Sequence, residues 1–264
     1  MLSVFVVTLA LANPIYERDE EEISAYLNES SSRHTAFTEH LKGVILDTVG
    51  TPYQDGPLGE GESGKFDTDP LIDLRKVDCV TYVEQTVAMA TSNSYEDLVQ
   101  NLQRIRYRNG EVGFEHRNHF MISDWIKNNS WCRDVTSTLP VDTLRLERTI
   151  SKKDFFEKVK APGLGLSEKN EQVVVNVVPP GQTSAVEKNI PDGSLIVFVG
   201  KIDWLFALHC GVYIRDEHGK GSLVHASSKA GEVISMSLAK YMEDQKNRYL
   251  GFSVYEMDRP DWTK

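Results

Sequence analysis

The chain has 264 residues, of which 40% are hydrophobic and 9% aromatic, with 39 acidic residues against 29 basic ones. This apolar content excludes a disordered chain, and three cysteines are too few for a disulfide-dense miniprotein. The formal net charge of −10 argues against nucleic acids and anionic membrane surfaces as partners, because both recruit lysine and arginine. The length fits one large domain with a single core, or a domain with a small subdomain.

The chain opens on an apolar run with the features of a secretion signal. Residues 2–12 are largely apolar and end in Ala10-Leu11-Ala12, a small-residue pattern that precedes signal cleavage. The run is too short to span a bilayer, which takes about 20 residues. We therefore predict a signal peptide of residues 1–12, a single mature domain of residues 13–264 without a membrane span, and a periplasmic or extracellular location. The alternative is an apolar N-terminal strand or helix of the mature protein.

Helical periodicity dominates the first half of the chain. Apolar residues recur at helical spacing in four segments, each of which we predict as a helix: Arg33–Val49, Cys79–Ala90, Tyr95–Arg106 and Phe120–Lys127. Between the first two, residues 51–65 are rich in glycine and contain two prolines, which predicts a long loop.

Strand patterns dominate the second half. Residues 143–178 mix charged helical stretches with a strand-like run at 173–178. Four strands are predicted after it: Ser194–Val199, Ala207–Ile214, Ser222–Ser227 and Gly251–Met257. A helix-rich first half followed by a strand-rich second half predicts an α+β fold with a helical N-terminal subdomain.

Cys79 is a candidate nucleophile at the start of a predicted helix. Asp78 suits the N-cap position, and the first-turn N–H groups carry the positive end of the helix dipole. Such an environment favours the thiolate, which is the nucleophilic form of cysteine. The alternative is that Cys79 is one more small buried apolar residue.

Two histidines lie on the predicted hairpin of residues 207–227. A register that pairs Ile214 with Lys220 places His209 opposite His225 on one face, and a shift of two residues leaves them diagonal on that same face. One imidazole could take the thiol proton and protonate the leaving amine while the second orients it. The alternative is that one of the two is an ordinary core or surface histidine.

Other catalytic chemistries have weaker signals. His116 and His119 have H-x-x-H spacing, but the sequence contains neither H-E-x-x-H nor C-x-x-C. Phosphate-binding glycine motifs and the G-x-S-x-G of serine hydrolases are also absent from it. We therefore expect neither a metal nor a cofactor.

Several segments resemble a known family. The segment Asp78–Tyr82 resembles the Asp-Cys motif of NlpC-type papain-like cell-wall cysteine peptidases, His209–Tyr213 their H-x-G strand, and Gly50–Tyr53 their G-x-P-Y segment. Within that clan, the chain is similar to the N-acetylmuramoyl-L-alanine amidase-like family, formerly a domain of unknown function. The stretches that carry this likeness lie between about residues 49 and 228: Pro57–Gly61, Asp78–Glu84, Ile105–Gly110, Arg117–Phe120 and Asp124–Ile126.

The resemblance implies a papain-like fold whose nucleophile helix packs on a C-terminal antiparallel sheet. It makes Cys79 the nucleophile, His209 the general base and acid, and His225 the residue that orients His209. Cys210 departs from the family pattern beside His209, and we expect it to point to the opposite face and pack, or to pair with Cys132.

The resemblance also implies substrate contacts. Tyr53 would lie near the oxyanion, and Asp78, Arg117 and His119 would bind substrate, Arg117 by pairing with a peptide carboxylate. The alternatives are helix capping for Asp78 and a structural salt bridge or hydrogen bond for Arg117 and His119.

Together these features predict an exported amidase that hydrolyses the amide between the lactyl group of N-acetylmuramic acid and L-alanine. The expected partners are muropeptides, because an acidic protein is poorly suited to an anionic wall polymer. The alternatives are a stem-peptide endopeptidase of the same clan, a non-catalytic cell-wall binding module and a zinc amidase.

Overall fold

The computed structural model describes residues 13–161 and 169–263. The predicted signal peptide, residues 1–12, lies outside the described residues. None of the helices in the described ranges combines the length and the apolar character that a membrane span requires.

The helices of the described ranges gather mainly before residue 130. They are α1 (Glu20–Arg33), α2 (Phe37–Asp47), α3 (Cys79–Ala90), α4 (Tyr95–Arg106), α5 (Ile126–Asn128), α6 (Lys152–Lys158), α7 (Thr183–Val186) and α8 (Leu238–Asp244). The first three predicted helices correspond to α2, α3 and α4, and the fourth is a π-helical turn, Met121–Trp125, that continues into α5. The sequence reading missed α1, which begins with a capping box between Asp19 and Glu22.

The strands of the described ranges form two antiparallel sheets. They are β1 (Cys132–Asp134), β2 (Leu144–Ile150), β3 (Glu171–Val177), β4 (Ser194–Gly200), β5 (Ala207–Arg215), β6 (Gly221–Ser227), β7 (Glu232–Met236) and β8 (Tyr249–Met257). The larger sheet has the order β1-β8-β4-β5-β6-β7, and β2 pairs with β3 in the smaller one. The predicted α+β class and its antiparallel sheet are confirmed. The mixed segment of residues 143–178 contains α6 as a helix, but its residues 144–150 form a strand that pairs along its whole length with β3.

The larger sheet is covered on both faces. Leu195 and Val197 of β4 join a core formed with α1 to α4, and Ile196 and Phe198 join a second core formed with α7 and α8. Each such side chain, when fully buried, stabilises the fold by about 1.5–3 kcal/mol relative to an exposed one. The helix α3 belongs to the first of these cores, and ten of its twelve residues are buried. The first residue of α3 is therefore held firmly against the sheet.

The β5–β6 hairpin has a different register from the predicted one. Ile214 pairs with Ser222 rather than with Lys220, so the predicted register is wrong by two residues. The cause lies in the turn, where the Asp216 carboxylate accepts hydrogen bonds from the backbone N–H groups of His218 and Lys220, both at 2.9 Å. These bonds close a turn of residues 216–220, one position later than the sequence pattern suggested.

Candidate active site

Cys79 is the first residue of α3, and its helix is capped. The Asp78 carboxylate accepts hydrogen bonds from the N–H groups of Val80 at 2.9 Å and Thr81 at 2.7 Å. The Thr81 hydroxyl accepts in turn from the Asp78 N–H at 2.8 Å, which completes a capping box. The predicted N-cap is confirmed, and the half-buried Cys79 lies at the positive end of the helix dipole.

His209 and His225 are joined by a hydrogen bond. Nε2 of His209 lies 2.8 Å from Nδ1 of His225. Continuing the observed register puts His225 opposite Gly211, so the two histidines are diagonal neighbours on one face. Gly211 is required here because a Cβ atom would lie 2.7 Å from the Cβ of His225 and from the carbonyl oxygen of Val224.

Aromatic rings enclose the two histidines. Phe198 stacks on His209 with ring centroids 5.8 Å apart, and Tyr241 of α8 lies 4.9 Å from His225. The Tyr241 hydroxyl is fixed by the hydroxyl of Tyr249 at 3.1 Å. Burial, together with the charge of His209, lowers the pKa of His225 to about 3. His225 is therefore neutral near pH 7 and can serve as a fixed hydrogen-bond partner of His209.

The Cys79 thiol is surrounded by groups that stabilise its anion. A hydrogen bond from Cys210 is the largest of the effects that lower its pKa, and a hydrogen bond and the charge of His209 add to it. Burial acts in the opposite direction, but the pKa of Cys79 lies well below that of an ordinary thiol. The site thus favours the thiolate, the form in which a cysteine acts as a nucleophile.

The three cysteines of the sequence are all free thiols. Cys132 lies on β1, three strands away from Cys210 on β5. Three strand spacings amount to roughly 14 Å, well beyond the Cα separation that a disulfide can bridge. The pairing of Cys132 with Cys210 is therefore wrong, and the alternative expectation that Cys210 packs is confirmed by its place in the core beneath α3.

Tyr53 lies close enough to Cys79 for the charge of Cys79 to affect its hydroxyl group. Its backbone N–H donates to the carbonyl oxygen of Gly231 at 2.8 Å, and its segment forms a parallel bridge with Val77, two residues before Cys79. Burial and the charge of Cys79 raise the pKa of the Tyr53 hydroxyl to about 12. The hydroxyl therefore stays protonated at neutral pH and can donate a hydrogen bond.

Arg117 is already paired with two carboxylates. Its guanidinium donates to Glu60, and to Oδ2 of Asp67 at 2.7 Å. Glu60 also accepts a hydrogen bond of 3.2 Å from the Tyr107 hydroxyl. The salt bridge considered from the sequence is present, and it ties the loop of residues 51–65 to the segment that follows α4.

His119 belongs to an aromatic cluster. Its Nε2 lies 2.6 Å from the carbonyl oxygen of Phe114, and its ring packs 5.0 Å from that of Phe156. Burial lowers its pKa to about 4, so the ring is neutral at pH 7. The hydrogen bonds and ion pairs of Arg117 and His119 lead to these neighbours rather than to Cys79, and substrate binding by either side chain stays a prediction.

Asp78 likewise has a structural role. Its second carboxylate oxygen, Oδ2, accepts a hydrogen bond of 3.2 Å from the N–H of Gly56. Both oxygens of Asp78 thus hold backbone N–H groups beside Cys79, and a direct contact between Asp78 and substrate stays a prediction.

No metal centre is evident among the side chains of residues 13–161 and 169–263. These ranges contain no group of three or more histidine, cysteine, aspartate or glutamate side chains placed to hold one ion. His116, one of the H-x-x-H pair, lies 3.3 Å from the carboxylate of Glu111.

The contacts of Cys210 with Cys79 and of Tyr241 with His225 are not among the sequence-based predictions. A signal for Tyr241 was present, since Ser237 suits an N-cap and Leu238, Tyr241 and Met242 follow at helical spacing. No sequence signal placed Cys210 against Cys79, because that contact depends on how α3 docks on β5.

Comparison with known proteins supplies the relationship. The family profile of N-acetylmuramoyl-L-alanine amidase-like proteins matches residues 46–251. A search among curated proteins found no match.

Solved structures share the fold over most of the chain. A protein from Legionella pneumophila is 22% identical, covering 91% of this chain and 96% of its own, with a TM-score of 0.80. An N-acetylmuramoyl-L-alanine amidase from Bacteroides uniformis is 25% identical, and the match covers 84% of this chain and 99% of the amidase, with a TM-score of 0.68. A Bacteroides fragilis protein with a provisional xylanase name is 28% identical, covering 81% and 100%, with a TM-score of 0.64. Because the profile matches well over half of its residues, this chain belongs to the N-acetylmuramoyl-L-alanine amidase-like family.

Proposed function

We propose that the protein is a cysteine-dependent amide hydrolase that cleaves the bond between N-acetylmuramic acid and L-alanine in muropeptides. The observation that carries the proposal is the hydrogen-bonded pair of His209 and His225 beside the capped Cys79. Membership of the amidase-like family supports the choice of bond.

The histidine pair suits general acid and base catalysis. Since Nε2 of His209 faces His225, Nδ1 is the ring nitrogen left for the Cys79 thiol. The Nδ1 atom of a neutral His225 accepts a hydrogen bond from the Nε2–H of His209, and this fixes the His209 tautomer whose Nδ1 is unprotonated and can act as a base. His225 thereby orients His209 without taking part in proton transfer.

The reaction follows in two steps. The Cys79 thiolate attacks the lactyl carbonyl carbon, and His209 passes a proton to the L-alanine nitrogen as the C–N bond breaks. A water molecule then attacks the thioester, gives a proton to His209, and releases the lactyl carboxylate with the thiolate restored.

Two donors are available for the oxyanion of each step. One is the backbone N–H of Cys79 at the start of α3. The other is the protonated hydroxyl of Tyr53, which interacts with the charge of Cys79. Both act on charge that develops only during the reaction, so they would raise kcat more than they lower KM.

The same proposal includes the architecture and the location. We infer a papain-like arrangement, because the nucleophile begins a helix that packs on an antiparallel sheet and its histidines come from adjacent strands. We further infer a single catalytic domain of residues 13–264 and export directed by residues 1–12. The cell-wall substrate implied by the family supports export.

A muropeptide digest tests the proposal. Wild type, Cys79→Ala and the matched control Cys132→Ala are incubated with purified muropeptides, and the products are identified by mass spectrometry. We expect free stem peptide and intact sugar from wild type and from Cys132→Ala, and no cleavage by Cys79→Ala. Fragments cut within the stem would instead identify an endopeptidase, and cleavage retained in Cys79→Ala would refute the mechanism.

A further inference from the structure

Cys210 contacts the candidate nucleophile from the sheet. Its Sγ lies 3.1 Å from the backbone carbonyl oxygen of Cys79, within reach of a hydrogen bond from the thiol. Cys210 is only 1% exposed, so its S–H proton is held among protein atoms rather than by water. A buried donor with a defined acceptor is more than a packing group.

The strand brings two consecutive residues to Cys79. Cys210 projects into the core beneath α3, whereas the preceding His209 lies against Phe198 on the other face of β5. Both act on the first residue of α3: the Cys210 thiol lies within hydrogen-bond distance of the Cys79 carbonyl oxygen, and His209 lowers the pKa of the Cys79 thiol. Two consecutive residues of β5 thus act on Cys79.

We propose that Cys210 is a positioning residue for the amidase reaction: its thiol donates a hydrogen bond to Cys79 and holds the first turn of α3 so that the Cys79 sulfur meets His209. Its effect on turnover rests on the proposed function. Its effect on the reactivity of Cys79 does not.

Electrostatics agree with a donor role for Cys210. Its hydrogen bond with Cys79, added to burial, raises the pKa of the Cys210 thiol well above the ordinary value. Cys210 therefore keeps its proton in the range where Cys79 has lost its own. The single S–H proton that Cys210 offers to the Cys79 carbonyl oxygen can turn to the Cys79 sulfur once that thiol ionises. A protonated thiol that donates to a thiolate stabilises the anion, which is the reactive form of Cys79.

Cys132 shows what a buried cysteine does without such a contact. It is 4% exposed and belongs to the same core as Cys210, but it lies on the edge strand β1. Burial is the main cause that raises its pKa, with no hydrogen bond among the causes. Cys132 is therefore a matched control for the removal of a buried thiol.

The test measures alkylation of Cys79 as a function of pH. Wild type, Cys210→Ser, Cys210→Ala, Cys210→Val and Cys132→Ala are treated with iodoacetamide between pH 4 and pH 10 in a phosphine reductant. Peptide mapping by mass spectrometry follows Cys79 alone. Serine keeps a donor, valine keeps volume without a donor, and thermal unfolding confirms that each variant is folded.

We expect Cys210→Ala and Cys210→Val to raise the apparent pKa of Cys79 by about one unit, so that alkylation at pH 6 falls about tenfold and recovers above pH 9. Cys210→Ser should stay within about twofold of wild type at pH 6, and Cys132→Ala should match it. Should Cys210→Ala fail to fold, Cys210→Val and Cys210→Ser still decide the outcome.

Turnover of muropeptides by the same variants should follow the alkylation curves, with a loss of about tenfold at pH 6 that disappears near pH 9. The inference is overturned if the folded alanine and valine variants titrate like wild type, or if serine behaves like alanine. If wild type cleaves no muropeptide, the proposed function fails while the alkylation series still decides the role of Cys210.

Discussion

His209 and His225 lie diagonally across β5 and β6, with Nε2 of the first 2.8 Å from Nδ1 of the second. The contact leaves Nδ1 of His209 available for a second partner, and His225 is buried, with an exposed fraction of 3%. A buried neutral partner with one fixed acceptor restricts the rotation of His209 without competing for the thiol proton. This division of roles makes the two histidines separable by mutation.

We expect His225→Ala to lower kcat by about 10²-fold with little change in KM, because in the proposed mechanism His225 orients the base His209 and makes no contact with the substrate. His225→Asn, whose amide oxygen can accept from His209, should recover part of the loss. Steady-state kinetics on purified muropeptides measure both constants. An equal loss in His225→Asn and His225→Ala would show that the hydrogen bond to His209 has no role.

Gly211→Ala should disable the site through its geometry. The added Cβ would lie 2.7 Å from the His225 Cβ and from a backbone oxygen of β6, so the strands must separate. We expect destabilisation by about 1–3 kcal/mol in urea unfolding, with kcat reduced further than stability explains. Gly181→Ala is the matched control, since nothing lies within 4 Å of a Cβ there. Wild-type kinetics in Gly211→Ala would contradict the packing described for β5 and β6.

The local features of the site could be predicted from the sequence. The start of α3 was predictable because an aspartate N-cap precedes an apolar helical stripe, and the Asp78 capping box has that form. Alternation along a strand also predicted that His209 and Cys210 point to opposite faces, as they do.

The long-range features could not be predicted. The hairpin register depends on backbone hydrogen bonds that the Asp216 carboxylate accepts within the turn, and turns of several similar lengths could join the same two strands. The contact of Cys210 with Cys79 depends on how a helix docks on a strand 131 residues away along the chain. The closeness of Tyr241 to His225 depends on a helix of seven residues that is held by tertiary packing.

Asp78→Ala should destabilise the protein by about 0.5–2 kcal/mol, because two N–H groups of the first turn lose their acceptor. Asp78→Asn keeps an oxygen acceptor and should lose less than half as much. Urea unfolding at pH 7 measures the free energies of unfolding, and KM for muropeptides tests the predicted substrate contact. An unchanged KM in the folded Asp78→Asn variant would assign Asp78 to capping alone.

Arg117→Met should be destabilising by about 3–5 kcal/mol, because it leaves the carboxylate of Glu60, which is 5% exposed, without its ion-pair partner. The double variant Arg117→Met with Glu60→Gln should recover much of this stability, since no buried charge is left unpaired. KM for muropeptides in the double variant distinguishes a structural role of Arg117 from a contact with substrate. A KM near that of wild type assigns Arg117 to structure, whereas a rise of tenfold or more would support the predicted contact with a peptide carboxylate.

Acid should destabilise the fold through its neutral buried histidines. Burial lowers the pKa of His119 to about 4, whereas an unfolded histidine titrates near 6.5. Between these values the unfolded state binds a proton that the folded state does not. The contribution of each such histidine to the free energy of unfolding is therefore fully present above pH 6.5. It falls toward pH 4 by up to about 1.4 kcal/mol per pH unit. His40 and His225, with pKa values lowered to about 4 and about 3, act in the same direction.

Glu84 has the opposite effect on the pH dependence of stability. Burial raises its pKa to about 7, so its contribution to the free energy of unfolding is present below pH 4.5 and is lost as the pH rises to 7. The comparison of wild type with His119→Phe cancels this opposing effect and isolates one proton. Urea unfolding at pH 7.5, 6.5, 5.5 and 4.5 should show a smaller acid loss in His119→Phe, with the difference growing only below pH 6.5. His218→Asn, which removes a side chain that is 81% exposed, should keep the wild-type profile. Parallel profiles for wild type and His119→Phe would mean that folding does not lower the pKa of His119.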